Sequence, residues 1–201
     1  MRCLVFVPLV FPAAFLLLPA VAGADDARVV PAARSLLAWQ VLTAGDSVKE
    51  AILATSVTLE LLRQMPGDDD DGLRIMVSCV GTTAQLTGAV RDRAAEEQAM
   101  AVTLGVPGVR NVVSTLVVNP GLPVDQNLEA HRKDAVVATD VKLHVLQALG
   151  SSALDIRVQA EDGVITLSGQ VEDTLTRDLV VYMVRARPAV QRVIDLLDTQ
   201  P

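Results

Sequence analysis

Few side chains in this sequence have the chemistry to react or to hold a metal. Cys79 is the one thiol beyond Cys3, and His131 and His144 are the two histidines. Neither histidine falls at a spacing that would assemble a tetrahedral metal set. Asp68-Asp69-Asp70-Asp71 concentrates carboxylate, but the alternating acidic pattern, central Gly and closing Glu of a calcium loop are missing. A solvated loop is the reading that fits. No nucleophile elbow, phosphate-cradling glycine loop or zinc-protease helix motif occurs, so the expectation is a protein that is not an enzyme and uses no cofactor or metal. One cluster stands out. Arg185, Arg187 and Arg192 lie within eight residues free of Asp and Glu, and Tyr182 sits one turn before Arg185. These four are the candidate binding residues for anionic lipid headgroups, where each basic side chain contributes about 1 kcal/mol. The competing reading is a solvated helix end whose cations complement the macrodipole and pair with acids such as Asp178.

Composition narrows the function classes. The chain has 201 residues, a net charge of −7 and only 2% aromatic residues, and beyond Phe15 the rings are Trp39 and Tyr182 alone. Nucleic-acid readers need a basic face with stacking platforms, so none is expected here. The N-terminus accounts for much of the apolar content. Arg2 precedes an uncharged run, Cys3 to Val21, broken by Pro8, Pro12 and Pro19 and followed by Ala22-Gly23-Ala24 and then Asp25-Asp26. Small residues before an acidic pair mark a secretory leader cleaved after Ala24, with an uncleaved anchor as the alternative. Export to the periplasm follows. Cleavage removes Arg2 alone among the charges, leaving 16 basic against 24 acidic residues. It also removes Cys3, so Cys79 has no internal disulfide partner; it reads either as a reactive or intermolecular thiol or as a small core residue sharing a strand face with Ile75 and Val77.

The elements that must position these residues emerge from an internal repeat. At a shift of 81, Gln85 to Asp92 aligns with Thr166 to Asp173, and the register holds without a gap from Ile75 on Ile156 to Leu116 on Leu197. Ten of 44 positions are identical, mostly core apolars with the turn glycine Gly88 on Gly169, which marks a duplicated fold unit. In the second copy, Val141, Val145 and Leu149 predict a short helix stopped by Gly150. Ile156 and Val158, the Asp162-Gly163 turn and Val164 to Leu167 predict a hairpin. Leu175, Leu179 and Met183 predict a second helix that Pro188 ends, and Val190, Val193 and Leu197 a last strand. The first copy repeats this αββαβ order. Ser47 and Glu50 form a capping box, Val48, Ile52, Thr55, Leu59 and Leu62 the stripe of its opening helix, Arg93 to Leu104 its second helix and Arg110 to Val118 its strand. The expected organisation is a leader at 1–24, an extension at 25–45 with the apolar Leu36-Leu37-Ala38-Trp39, a first unit at 46–118, a linker at 119–139 and a second unit at 140–198. Trp39 reads as a docking contact, with membrane contact as the alternative.

Two αββαβ units behind a leader resemble the BON domain family (bacterial OsmY and nodulation). Each has a hairpin ending in Leu-Thr/Ser-Gly-x-Val, and its second helix runs into a Pro-Gly/Ala-Val-x-x-Val-x-x-x-Leu strand. Glu161 to Val171 is similar to the family's central signature, whereas Val80-Gly81-Thr82-Thr83-Ala84 moves the turn glycine one place earlier. The resemblance implies an α+β fold of two three-stranded mixed sheets, each with two helices. It implies a periplasmic or outer-membrane-associated protein linked to osmotic stress and envelope integrity, with phospholipid headgroups or envelope proteins as partners. The alternative is a soluble chaperone-like or protein-interaction module without lipid binding. Gly88, Gly163 and Gly169 are implied as structural turn positions and not as ligands.

Overall fold

Residues 48–65, 71–123 and 126–199 are described by a computed structural model of the chain. The predicted leader, the extension with Trp39, the cap residue Ser47 and Asp68 to Asp70 lie outside the described residues. The first unit runs α1 (Val48–Gln64), the short α2 (Asp71–Arg74), β1 (Ile75–Val80), β2 (Thr83–Val90), α3 (Arg93–Gly105) and β3 (Asn111–Val118). The second runs α4 (Leu128–Leu149), a single 3-10 turn (Gly150–Ala153), β4 (Arg157–Glu161), β5 (Val164–Val171), α5 (Thr174–Arg185) and β6 (Arg192–Thr199). The fold is the predicted pair of α+β units. Each hairpin is antiparallel, and the third strand returns parallel to the middle one after a helical crossover, giving the orders β1-β2-β3 and β4-β5-β6.

Alternation along the strands decides which face is buried. Ile75, Val77 and Cys79 on β1, Ala84 and Leu86 on β2 and Leu116 on β3 point into the first core; Val158, Ile165, Leu167 and Leu197 do the same in the second. The hairpin turns show how the displaced glycine is accommodated. Asp162 and Gly163 both adopt positive φ, the arrangement of a type I′ turn, whereas in the first unit only Gly81 does, at the first turn position, as a II′-like turn requires. Both turns hold two residues, so the register is unchanged. Gly88 and Gly169 have a different constraint. They adopt φ of +127° and +121°, and a Cβ on either would lie 2.1 Å from the carbonyl oxygen of Arg74 or Asp155.

The opening helices depart most from expectation. The helix predicted to start near Val141 starts at Leu128, so most of the segment expected as linker is helical. Its extra turns lie along α1. Ala135, Ala138 and Thr139 are buried there, and the small side chains let the two helices approach. α1 is buried on more than its predicted stripe for the same reason. Ala51 joins the second unit's core, while Ala54, Val57 and Leu61 join the first. Thr55 and Thr58, buried in this helix, donate their hydroxyls to the carbonyls of Ala51 and Ala54. The two units therefore share one helical layer and brace each other, which suits units whose individual cores are small.

Candidate functional site

The candidate binding residues sit around α5 and the turn that follows it. Asp173 caps the helix: its carboxylate accepts from the Thr176 backbone N–H at 2.7 Å, and that bond holds its pKa below the usual carboxylate range. The helix carries two apolar stripes. The expected core stripe, Leu175, Leu179 and Met183, is not the buried one; Val180, Val181 and Val184 face the sheet instead. β-branched side chains are shorter and stiffer than leucine, and they fill the gap over Ile165 and Leu197. Leu175 and Leu179 turn outward as a result. They form an exposed row with Tyr182 at i, i+4 and i+7, with relative exposures of 79%, 46% and 72%. Arg185 follows one turn from Tyr182 and is also exposed.

The arginines are not equivalent. Arg187 points away from this row towards α4, where its guanidinium is ion-paired with Asp140 and lies 2.9 Å from His144 Nε2. The acid that takes it is Asp140, not the nearby Asp178. Arg63 on α1 also reaches Asp140, at 3.6 Å, so this carboxylate links α1, α4 and the turn after α5. Arg192 opens β6 and alternates with Val193, which packs against the core, so its side chain lies on the sheet face opposite α5. Of the four candidates, the structure places Tyr182 and Arg185 on one exposed helix face and separates Arg187 and Arg192 from it. Leu175 and Leu179 were missed as surface residues. The signal was present in the sequence as a second apolar stripe, but size pointed to the wrong one as core.

Two further reactive groups are structural in their surroundings. Cys79 is buried among the first core, and burial, reinforced by Glu50, pushes its thiol up to about 11, which keeps it a protonated core side chain. Lys142 is buried on α4. Its Nζ donates to the carbonyls of Ala153 at 2.6 Å, Leu154 at 3.4 Å and Ile156, tying the 3-10 turn to the helix before it. Among the described residues no group of His, Cys, Asp and Glu comes together as a metal site, and no helix is long and apolar enough to cross a membrane.

Comparison with known proteins gives a family and little beyond it. No curated protein matches the chain. Solved structures similar to the chain include two of CdsD, a structural protein of the type III secretion system of Chlamydia trachomatis. Its C-terminal domain is 11% identical with a TM-score of 0.32, over 80% of this chain and all of that one. The second is 14% identical with a TM-score of 0.31, over 74% of this chain and 62% of that one. Likeness this distant transfers no function. The BON domain family model matches residues 49–120 and 133–201, spanning both repeats and most of the chain. With the duplicated αββαβ units and their mixed sheets, this places the chain in the BON domain family, as a tandem pair.

Proposed function

We propose that this chain is an exported binding protein of the bacterial cell envelope, linked to osmotic stress and envelope integrity, that lies on phospholipid surfaces through the outward row of α5. The observation that carries the reading is the exposed Leu175, Leu179 and Tyr182 row with Arg185 beside its C-terminal end. A helix lying in a membrane interface places an apolar face at the headgroup boundary and its cations against phosphate, and a tyrosine tolerates both environments. One arginine contributes about 1 kcal/mol near an anionic surface. The apolar row therefore supplies most of the affinity, and the acidic excess of the exported chain, 16 basic against 24 acidic residues, opposes it. Weak, reversible and salt-sensitive association follows.

The test is co-flotation of the purified chain with zwitterionic and with anionic vesicles at low and moderate salt. The chain is expected to float with anionic vesicles and to release as salt rises. Combining Leu175→Ser, Leu179→Ser and Arg185→Ala should lower partitioning at least about tenfold, because each change removes on the order of 1 kcal/mol. Arg187→Ala, which breaks the pair with Asp140, should leave flotation unchanged in protein that remains folded. Undiminished flotation of the triple variant would remove α5 as the contact. No flotation of the parent on either lipid would favour the soluble protein-interaction reading.

A further inference from the structure

We propose that the chain pairs with a second copy of itself along β3, antiparallel about Thr115, so that two three-stranded sheets join into one of six strands. β3 is an edge strand, bonded to β2 on one side. The Asn119 N–H donates to the Val90 carbonyl on β2, and alternation along the strand then directs the backbone groups of Val112, Ser114, Leu116 and Val118 outward. The Leu116 N–H is met by the hydroxyl of Ser114 on its own strand at a long 3.4 Å. The strand carries no charge and no proline, the devices that usually keep an edge from pairing.

The repeat supplies an internal control. In β6, the counterpart of β3, the Leu197 N–H is capped by the Asp195 carboxylate at 3.0 Å, and Arg177 holds that carboxylate at 2.8 Å. Arg192 and Asp198 also lie on this strand. The first unit keeps this arrangement in weaker form, a neutral Ser114 hydroxyl that donates to Glu96 at 2.8 Å and meets the Leu116 N–H only at 3.4 Å, and its strand carries no charged side chain.

The sequence of β3 indicates what covers it. Val112-Val113-Ser114-Thr115-Leu116-Val117-Val118 has nearly the same pattern in both directions about Thr115. In an antiparallel pair centred there, Val112 meets Val118 and Ser114 meets Leu116 as hydrogen-bonded pairs. Val113 meets Val117 twice, and Thr115 meets its own copy, as the non-hydrogen-bonded pairs in which side chains approach most closely. Val113 and Val117 are 47% and 61% exposed in the single chain. Such a contact is isologous, as a two-fold dimer requires. Charge points the same way. Two copies that each carry an excess of acidic residues repel, which favours close contact over uncharged surface. The outer faces of β1, β2 and β3 carry no charged side chain, whereas those of β4, β5 and β6 present Arg157, Glu161, Arg192 and Asp198.

One strand edge buries less than a standard interface, so association in the micromolar range is expected. Sedimentation velocity of the purified chain from about 1 to 100 µM should show a concentration-dependent monomer–dimer equilibrium. Val113→Lys, at an exposed position that leaves the core intact, should weaken it at least about tenfold with an unchanged circular dichroism spectrum. Thr115→Cys should oxidise to a disulfide-linked dimer. Leu196→Cys, its counterpart on β6, and the parent chain with its buried Cys79 should not. A chain that is monomeric at every concentration and crosslinks at residue 115 no more than at 196 overturns the self-pairing and leaves the edge to an extended segment of another protein. A dimer insensitive to Val113→Lys overturns it equally.

Discussion

Gly169→Ala is expected to destabilise the chain by about 3 to 5 kcal/mol, enough to unfold most of the second unit. Two costs coincide at this position. The backbone holds φ at +121°, where an L side chain is strained, and the added Cβ would lie 2.1 Å from the carbonyl oxygen of Asp155 and 3.0 Å from its carbon. Both neighbours are backbone atoms at the point where the chain enters β4, so relief requires β5 to move away from the strand it pairs with. Gly88→Ala should behave alike, because the Arg74 carbonyl oxygen stands at the same 2.1 Å. Gly81→Ala isolates the conformational part. It has φ of +58°, and an added Cβ would meet nothing within 4 Å, so its cost should be about 1 to 2 kcal/mol. Urea denaturation of the three variants checks the order; a Gly169→Ala loss no larger than that of Gly81→Ala contradicts it.

Lys142 should give the chain a stability that rises with pH just above neutrality. Burial lowers its pKa from 10.5 to about 8, with Asp155 opposing in part. Between those values the unfolded chain holds a proton that the folded chain has released. Stability therefore increases as pH rises through this window, and below about 8 the full cost of the buried ammonium is present. Cys79 acts in the opposite sense from pH 9 upward, because its thiol stays protonated in the folded chain to about 11 and ionises earlier when unfolded. The interval from pH 8 to 9 thus belongs to Lys142, and a gain of about 1 kcal/mol is expected across it. Lys142→Met should abolish that gain. At pH 7 two effects oppose each other, because the carbonyls of Ala153, Leu154 and Ile156 lose their donor while the cost of the buried ammonium is removed, so the variant should differ from the parent by less there than either effect alone would give. Denaturation midpoints in parent and variant from pH 7 to 9 measure both effects; parallel curves contradict the assignment.

Most of the fold was legible because duplication made one unit a check on the other. The turns, the close-approach glycines and the strand alternation recur at the same shift, and each has a local physical cause. The start of α4 was less visible. Its first turns bury Ala135, Ala138 and Thr139, small side chains that carry little hydropathy, among Glu129, Arg132, Lys133 and Asp134. The repeat did contain the answer, since α1 shifted by 81 falls on residues 129–145. The faces of α5 were ambiguous for another reason. Leu175 and Leu179 have more apolar surface than Val180 and Val184, but the available space over the sheet selects shape before size. The candidate arginines were legible as a cluster in sequence and not as a cluster in space. Arg187 is drawn off by Asp140, 47 residues earlier, a partner that only the packing of α4 brings near.

The division of labour between the units follows from these same particulars. α1 and α4 join the copies, Asp140 ties α1 and the turn after α5 to α4, and α5 is left with an apolar row that nothing in its own core requires. The most direct test of that row is a polarity-sensitive fluorophore attached through Leu179→Cys on α5 and, separately, through Ile194→Cys on the outer face of β6. With anionic vesicles, a blue-shifted and brighter emission is expected at 179 and no change at 194. An unchanged spectrum at 179, or a shift at 194 alone, would contradict membrane contact through α5.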